Sequence, residues 1–196
     1  SLNNKPKSIS PKFFYDEVGS KLFDEICSLP EYYLYDSEIE ILNNIKTDIK
    51  SYIDSEIHLV ELGSGSSIKT RILLDTLYNL QTSVEYFPID ISDILTLSTQ
   101  ELSYIYKDLK ITGIIDTYEN GLNFIEHYDD KPNLISFLGS SFGNFNPNEG
   151  IYFLKTISDM MKDSDLFLIG FDLKKDESIL HKAYNDSKGI TANSNL

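Results

Sequence analysis

The run Val60-Glu61-Leu62-Gly63-Ser64-Gly65-Ser66-Ser67-Ile68-Lys69-Thr70 constrains this chain more than any other stretch. An apolar run from Ile57 to Leu62, with one acid near its end, reads as a buried strand. Gly63 and Gly65 then remove side chains where the backbone must turn tightly and admit a ligand. Ser66 and Ser67 are candidate caps for the helix that follows, because a hydroxyl can accept from its unpaired amides. Strand, glycine turn and helix together form the first unit of a nucleotide- or cofactor-binding α/β fold.

Behind that unit the pattern repeats. Helical spacing covers Ile68 to Leu80, and a second strand, Val84 to Ile89, ends at Asp90. A helix follows from Ser92 to about Tyr106, then a third strand over Leu109 to Ile115 leading to Asp116. A short helix carries Leu122, Phe124 and Ile125, and a fourth strand spans Leu134 to Leu138. Asn146 as cap, Pro147 at the first helical position and Glu149 three after the cap mark the next helix. Leu166 to Phe171 is a fifth strand and Ile179 to Asn185 a last helix. Five strands alternating with helices predict an α/β fold with a doubly wound, mostly parallel sheet.

Two helices precede the glycine turn, over Pro11 to Leu29 and about Asp36 to Tyr52, joined by the aromatic turn Pro30 to Tyr35. A nucleotide-binding sheet does not need them. Residues 1–55 are therefore expected to form a helical lid or substrate wall, and residues 56–196 the cofactor-binding domain.

Ligands of such sheets sit at the carboxyl ends of the strands. At the glycine turn the candidate contacts are Glu61, Gly63, Ser64 and Gly65. An acid there is awkward beside a pyrophosphate but suits a cationic cofactor such as S-adenosylmethionine. Asp90, ending the second strand, is placed to take both hydroxyls of an adenosine ribose, or else caps the helix with Ser92. Asp116 is placed for an adenine amino group, or is a turn residue. Lys69 lies in the first turn of a helix, where a cation is mildly unfavourable; it reaches a ligand carboxylate or is solvated. The loop from Gly139 to Asn146 holds two glycines, two serines and two asparagines, and Asn144 could orient a carboxylate or an amine, or satisfy the loop's own backbone. No Ser/His/Asp or Cys/His set is spaced for nucleophilic catalysis. Methyl transfer needs none, since it depends on positioning and electrostatics.

The stretches "PKFFYDEVGSKLFDEICSLPEYY", "VELGSGSSIKT", "PID", "FLGSSFGNFNP", "DLKKD" and "AYND" resemble the histidine-specific Nα-methyltransferases of ergothioneine biosynthesis. The resemblance covers nearly the whole chain and implies a class I, Rossmann-like methyltransferase fold using S-adenosylmethionine. It implies a cofactor site at Gly63, Lys69, Asp90 and Asp116. It implies a substrate pocket at Tyr15, Tyr32, Asn144 and Tyr184, with Asn144 and Tyr184 on the amino-acid head group and Tyr32 near the ring. Where the family has a glycine and then Asp-Phe, this chain reads Ile115-Asp116-Thr117-Tyr118. In the family the chain continues past "GITANSNL" and supplies an acid and a serine that grip the imidazole, so a truncated chain is expected.

Composition removes other classes. A formal net charge of −14 argues against a large phosphate-binding surface, so nucleic acid is not an expected partner. No run approaches membrane-spanning length. The single cysteine, Cys27, fits a reducing cytoplasm and lies among apolar residues as core filler. Three scattered histidines give no metal-ligand spacing. The expected partner is a small amino acid. The rival readings are a nicotinamide-dependent dehydrogenase and a non-catalytic binding module. The fifth strand, apolar and without proline or lysine, is expected to be an edge open to self-association.

Overall fold

A computed structural model describes residues 17–64, 67–92 and 94–194. The expected contacts Tyr15 and Gly65, and the candidate cap Ser66, lie outside these residues. The described chain falls into two compact units: one takes the residues up to Tyr35 and from Leu173 onward, the other Asp36–Asp172.

The larger unit holds the sheet. Its strands are β1 (His58–Leu62), β2 (Glu85–Asp90), β3 (Lys110–Ile111), β4 (Ile114–Ile115), β5 (Asn133–Phe137) and β6 (Leu166–Ile169). The order is β3-β2-β1-β5-β6, with β4 also on β2, and every pairing is parallel. The expected third strand is thus present in two pieces. Both keep one register on β2, with Tyr86 opposite Ile111 and Ile89 opposite Ile114; Thr112 and Gly113 lie between the pieces, although the Thr112 amide still donates to Tyr86 O. β1 and β5 are buried along their whole length, as strands covered on both faces must be.

Helices cover the two faces. Helices α4 (Ser67–Tyr78) and α5 (Ile94–Ile105) lie on one, where Leu73, Leu74, Leu77 and Leu102 pack on Leu59, Tyr86 and Leu134. On the other, α6 (Tyr118–Glu126) and α7 (Pro147–Met160) set Leu122, Ile125, Phe153 and Ile157 against Val60, Leu62, Phe87, Ile135 and Phe137. The side of winding changes between β1 and β5, which makes their carboxyl ends the switch point of the sheet. The start of α7 matches its sequence signal: Asn146 accepts from Asn148 N and Glu149 N, Glu149 reaches back to the Asn146 amide, and Pro147 opens the helix.

The expected helix over 36–52 is two helices, α2 (Tyr33–Asn44) and α3 (Lys46–Ser51), broken at Ile45. Leu42 and Ile49 still reach the same core, with Ile39 and Ile45 against it. α2 begins at Tyr33, so Tyr33 and Tyr35 are helical rather than part of the turn.

The smaller unit contains α1 (Glu17–Cys27), the first residues of α2, α8 (Glu177–Ala183) and α9 (Ile190–Ser194). Ile26, Leu29, Tyr32, Leu34 and Ala183 form its core, and Cys27 packs against them. Val18 on α1 is 65% exposed. The α9 helix was not foreseen; Asp186 organises its start by accepting from Lys188 N, Ile190 N and Thr191 N. Among the described residues, no helix is long and apolar enough to cross a membrane.

Candidate functional site at the strand ends

Gly63 ends β1 in the left-handed region, at φ 71°, and its amide donates to Ile89 O at 2.9 Å, tying β1 to β2. A Cβ here would be strained by that φ and would lie 3.0 Å from the Tyr118 hydroxyl. Ser64 follows, buried, and its Oγ meets no partner at hydrogen-bonding geometry among the described residues. Ser67 does not serve as the expected cap: its hydroxyl donates to Glu101 and accepts from Arg71.

Glu61 is placed in the layer between β1 and α4, 2% exposed. Its Oε2 accepts from the Tyr86 hydroxyl at 2.5 Å and from Thr70 Oγ1 at 2.8 Å. Burial pushes its carboxyl up to about 7, against the downward pull of those two donors and the Lys69 charge.

Asp90 stands on the strand beside Gly63, half-buried, and its Oδ1 accepts from Ser92 N at 2.9 Å. Burial raises its carboxyl above the usual range, and turn amides pull the other way. The carboxylate therefore holds a local turn while sitting at the strand end. Asp116 is exposed. It accepts from Asn120 Nδ2 at 2.8 Å and Thr117 N at 2.7 Å, and these donors hold its carboxyl below the usual range. Its own amide donates to Asp90 O, so the two acids mark neighbouring strand ends.

Lys69 is not merely solvated. Its Nζ lies 2.8 Å from Glu38 Oε2, and both side chains are 14% exposed. Beyond β5, Gly139 and Ser140 both adopt positive φ, and Ser140 Oγ accepts from Asp172 N. A left-handed serine is strain of the kind that gathers at ligand-binding loops. Asn144 closes a short 3₁₀ turn, Ser141–Asn144, with its side chain exposed and without a hydrogen-bond partner among the described residues.

Tyr32 and Tyr184 both belong to the smaller unit and meet there edge to face, ring centroids 6.0 Å apart at 86°. Tyr32 is buried and also meets Phe23, whereas Tyr184, at the end of α8, is 53% exposed. Two residues expected in one pocket, 152 positions apart in sequence, are thus in ring contact.

A family described as histidine-specific, SAM-dependent methyltransferases matches residues 1–196. The chain belongs to that family. It is 38% identical to the histidine N-alpha-methyltransferase of Mycolicibacterium smegmatis, across 97% of this chain and 59% of that one. It is 36% identical to ergothioneine biosynthesis protein 1 of Neurospora crassa, across 95% of this chain and 22% of that one. The chain therefore spans about three fifths or less of these relatives. The crystal structure of a putative methyltransferase from Thermobifida fusca overlays with a TM-score of 0.62 at 13% identity, across 91% of this chain and 67% of that one, a likeness of fold.

Two residues of this chain escaped the sequence reading. Tyr118 opens α6 and lays its hydroxyl against the glycine turn, while its ring packs on Phe137 and Phe153. Only its place two residues past Asp116 pointed to it. Glu38 lies on α2 beside the apolar stripe of that helix, and no local pattern separates it from the other acids there.

Proposed function

We propose that this chain binds S-adenosylmethionine and that the whole protein methylates the α-amine of an amino acid, L-histidine by kinship with the named relatives. The observation that carries the reading is the set Gly63, Asp90 and Lys69, gathered at the carboxyl ends and first helix of a parallel sheet beside its switch point. The residues fit the donor: a left-handed glycine leaves no side chain on the turn, and an acid and a lysine place opposite charges beside it.

When bound, the donor supplies an electrophilic methyl on a sulfonium. The chain's own residues bind and orient. Asp90 takes the ribose hydroxyls, Asp116 and its turn border the adenine, and Lys69 takes the donor's carboxylate. Asn144 and Tyr184 are each read as contacts for the amino-acid head group, and Tyr32 and Tyr15 for its surroundings. The amine must lose its proton and aim its lone pair along the S–C bond, so positioning carries the reaction and no covalent nucleophile is required. Residues 1–55 are read as the substrate-wall segment and 56–196 as the donor-binding domain. A cytoplasmic setting is consistent with the single, packed Cys27.

Calorimetry with S-adenosylmethionine and with NAD tests the cofactor; binding of NAD alone overturns the reading. Mass spectrometry of histidine incubated with donor and the complete protein tests the reaction, which predicts additions of methyl groups to the α-nitrogen.

A further inference from the structure

The carboxylate of Glu38 is held on several sides at the carboxyl ends of β5 and β6. Both its oxygens accept from the Gly139 amide at 2.9 Å, and Oε2 also accepts from Lys69 Nζ at 2.8 Å. At Gly170, just past β6, a Cβ would lie 2.0 Å from Glu38 Oε1, so the carboxylate occupies the space that this glycine leaves. Lys69 in turn is held just beyond the end of β5, its Nζ 3.2 Å from where a Cβ on Gly139 would stand. These contacts all lie within the larger unit.

A pair this far out of water is not well explained as a stabilising device, because desolvation offsets most of its attraction. The cation also sits in the first turn of α4, the end of a helix that repels it. What the arrangement does achieve is placement. A lysine chain is flexible, and a fixed carboxylate removes much of the freedom a ligand would otherwise have to freeze out.

We infer that Glu38 is a positioning residue for the methyl donor: seated by Gly139 and Gly170, it fixes the Lys69 ammonium for the carboxylate at the donor's amino-acid end. The inference rests on the methyl-donor reading of the site. Glu38 acts through Lys69 and touches no reacting atom. Two probes separate its role from a general effect on the fold. S-adenosylhomocysteine carries the amino-acid end, and 5′-methylthioadenosine lacks it.

Calorimetry with both probes, on the wild-type chain and on Glu38→Gln, Lys69→Gln, the double variant and Gly170→Ala, gives the test. Glu38→Gln weakens S-adenosylhomocysteine about tenfold and 5′-methylthioadenosine less than about twofold. In the double variant the loss stays within about twofold of Lys69→Gln alone, as coupled residues require. Gly170→Ala leaves both charges in place yet displaces the carboxylate, and it weakens the same probe; it keeps the test open should Glu38→Gln not fold. Unchanged S-adenosylhomocysteine affinity, equal loss of both probes, or losses that multiply in the double variant overturn the inference. A folded wild-type chain that binds neither probe overturns the methyl-donor reading itself.

Discussion

The phenol of Tyr86 donates a 2.5 Å hydrogen bond to the carboxylate of Glu61, joining β2 to β1 beneath α4 in a layer where both side chains are almost fully buried. Glu61 therefore titrates inside the core. Its carboxyl ionises at about 7 when folded against an ordinary value of 4.5, so between those values the native state holds a proton that the unfolded state has released. Stability from this group is present below the lower value and falls as pH rises to about 7. The loss amounts to about 3 kcal/mol at most. Glu61→Gln can keep both accepted hydrogen bonds without the charge. Urea unfolding from pH 5 to 8 should show the variant gaining on wild type as pH rises, with the gap level above about 8. A constant gap would mean that Glu61 is not protonated at the lower end.

Asp90 serves the local turn through Ser92 N, so its replacement must spare that bond to be informative. Asp90→Asn keeps an acceptor and removes the charge. It should weaken S-adenosylmethionine about ten- to a hundredfold, the range for losing a charged hydrogen-bonding partner, with the melting temperature nearly unchanged. Calorimetry and a thermal scan measure the two. Full affinity in the variant would leave Asp90 with the turn alone.

The Asn144 side chain makes no hydrogen bond to its own loop among the described residues, so its truncation should cost the fold little. In the complete protein, Asn144→Ala should raise the KM for the amino acid by about tenfold, the cost of one hydrogen bond to the substrate, while donor affinity stays level. If donor affinity and thermal stability fall together, the amide supports the loop instead.

The parts of this fold that were readable are those set by neighbours in sequence. Ile57 to Leu62 could only be a buried strand, and Asn146, Pro147 and Glu149 wrote out a helix start that the structure reproduces bond for bond. The misses come from packing. Ile45 has the spacing to continue a helix, yet Leu42 and Ile49 reach the core from two shorter ones. Thr112 and Gly113 interrupt the third strand although the register runs on. In the site, Gly63 and Asp90 were visible because strand ends are visible. Glu38 was not, since its partners Lys69 and Gly139 lie 31 and 101 positions away and only the folded sheet assembles them.

Among the described residues β6 pairs only with β5, so the other edge of Leu166-Phe167-Leu168-Ile169 has no strand against it. Beside it runs a groove of about 380 Å³, lined by Ile45, Ile49, Tyr52, Leu166, Phe167 and Leu168. An edge that is apolar and lacks lysine or proline is a template for another strand. The chain Ser1–Leu196, taken by itself, should therefore associate through β6. Sedimentation across a concentration series should show the average mass rising despite the net charge of −14, more steeply in high salt, where that charge is screened. Leu168→Lys places a charge on this edge and should restore the monomer. The variant's far-ultraviolet circular dichroism should match the parent's, which separates a blocked edge from a lost fold. A parent chain that stays monomeric at every concentration would mean that this edge is already covered.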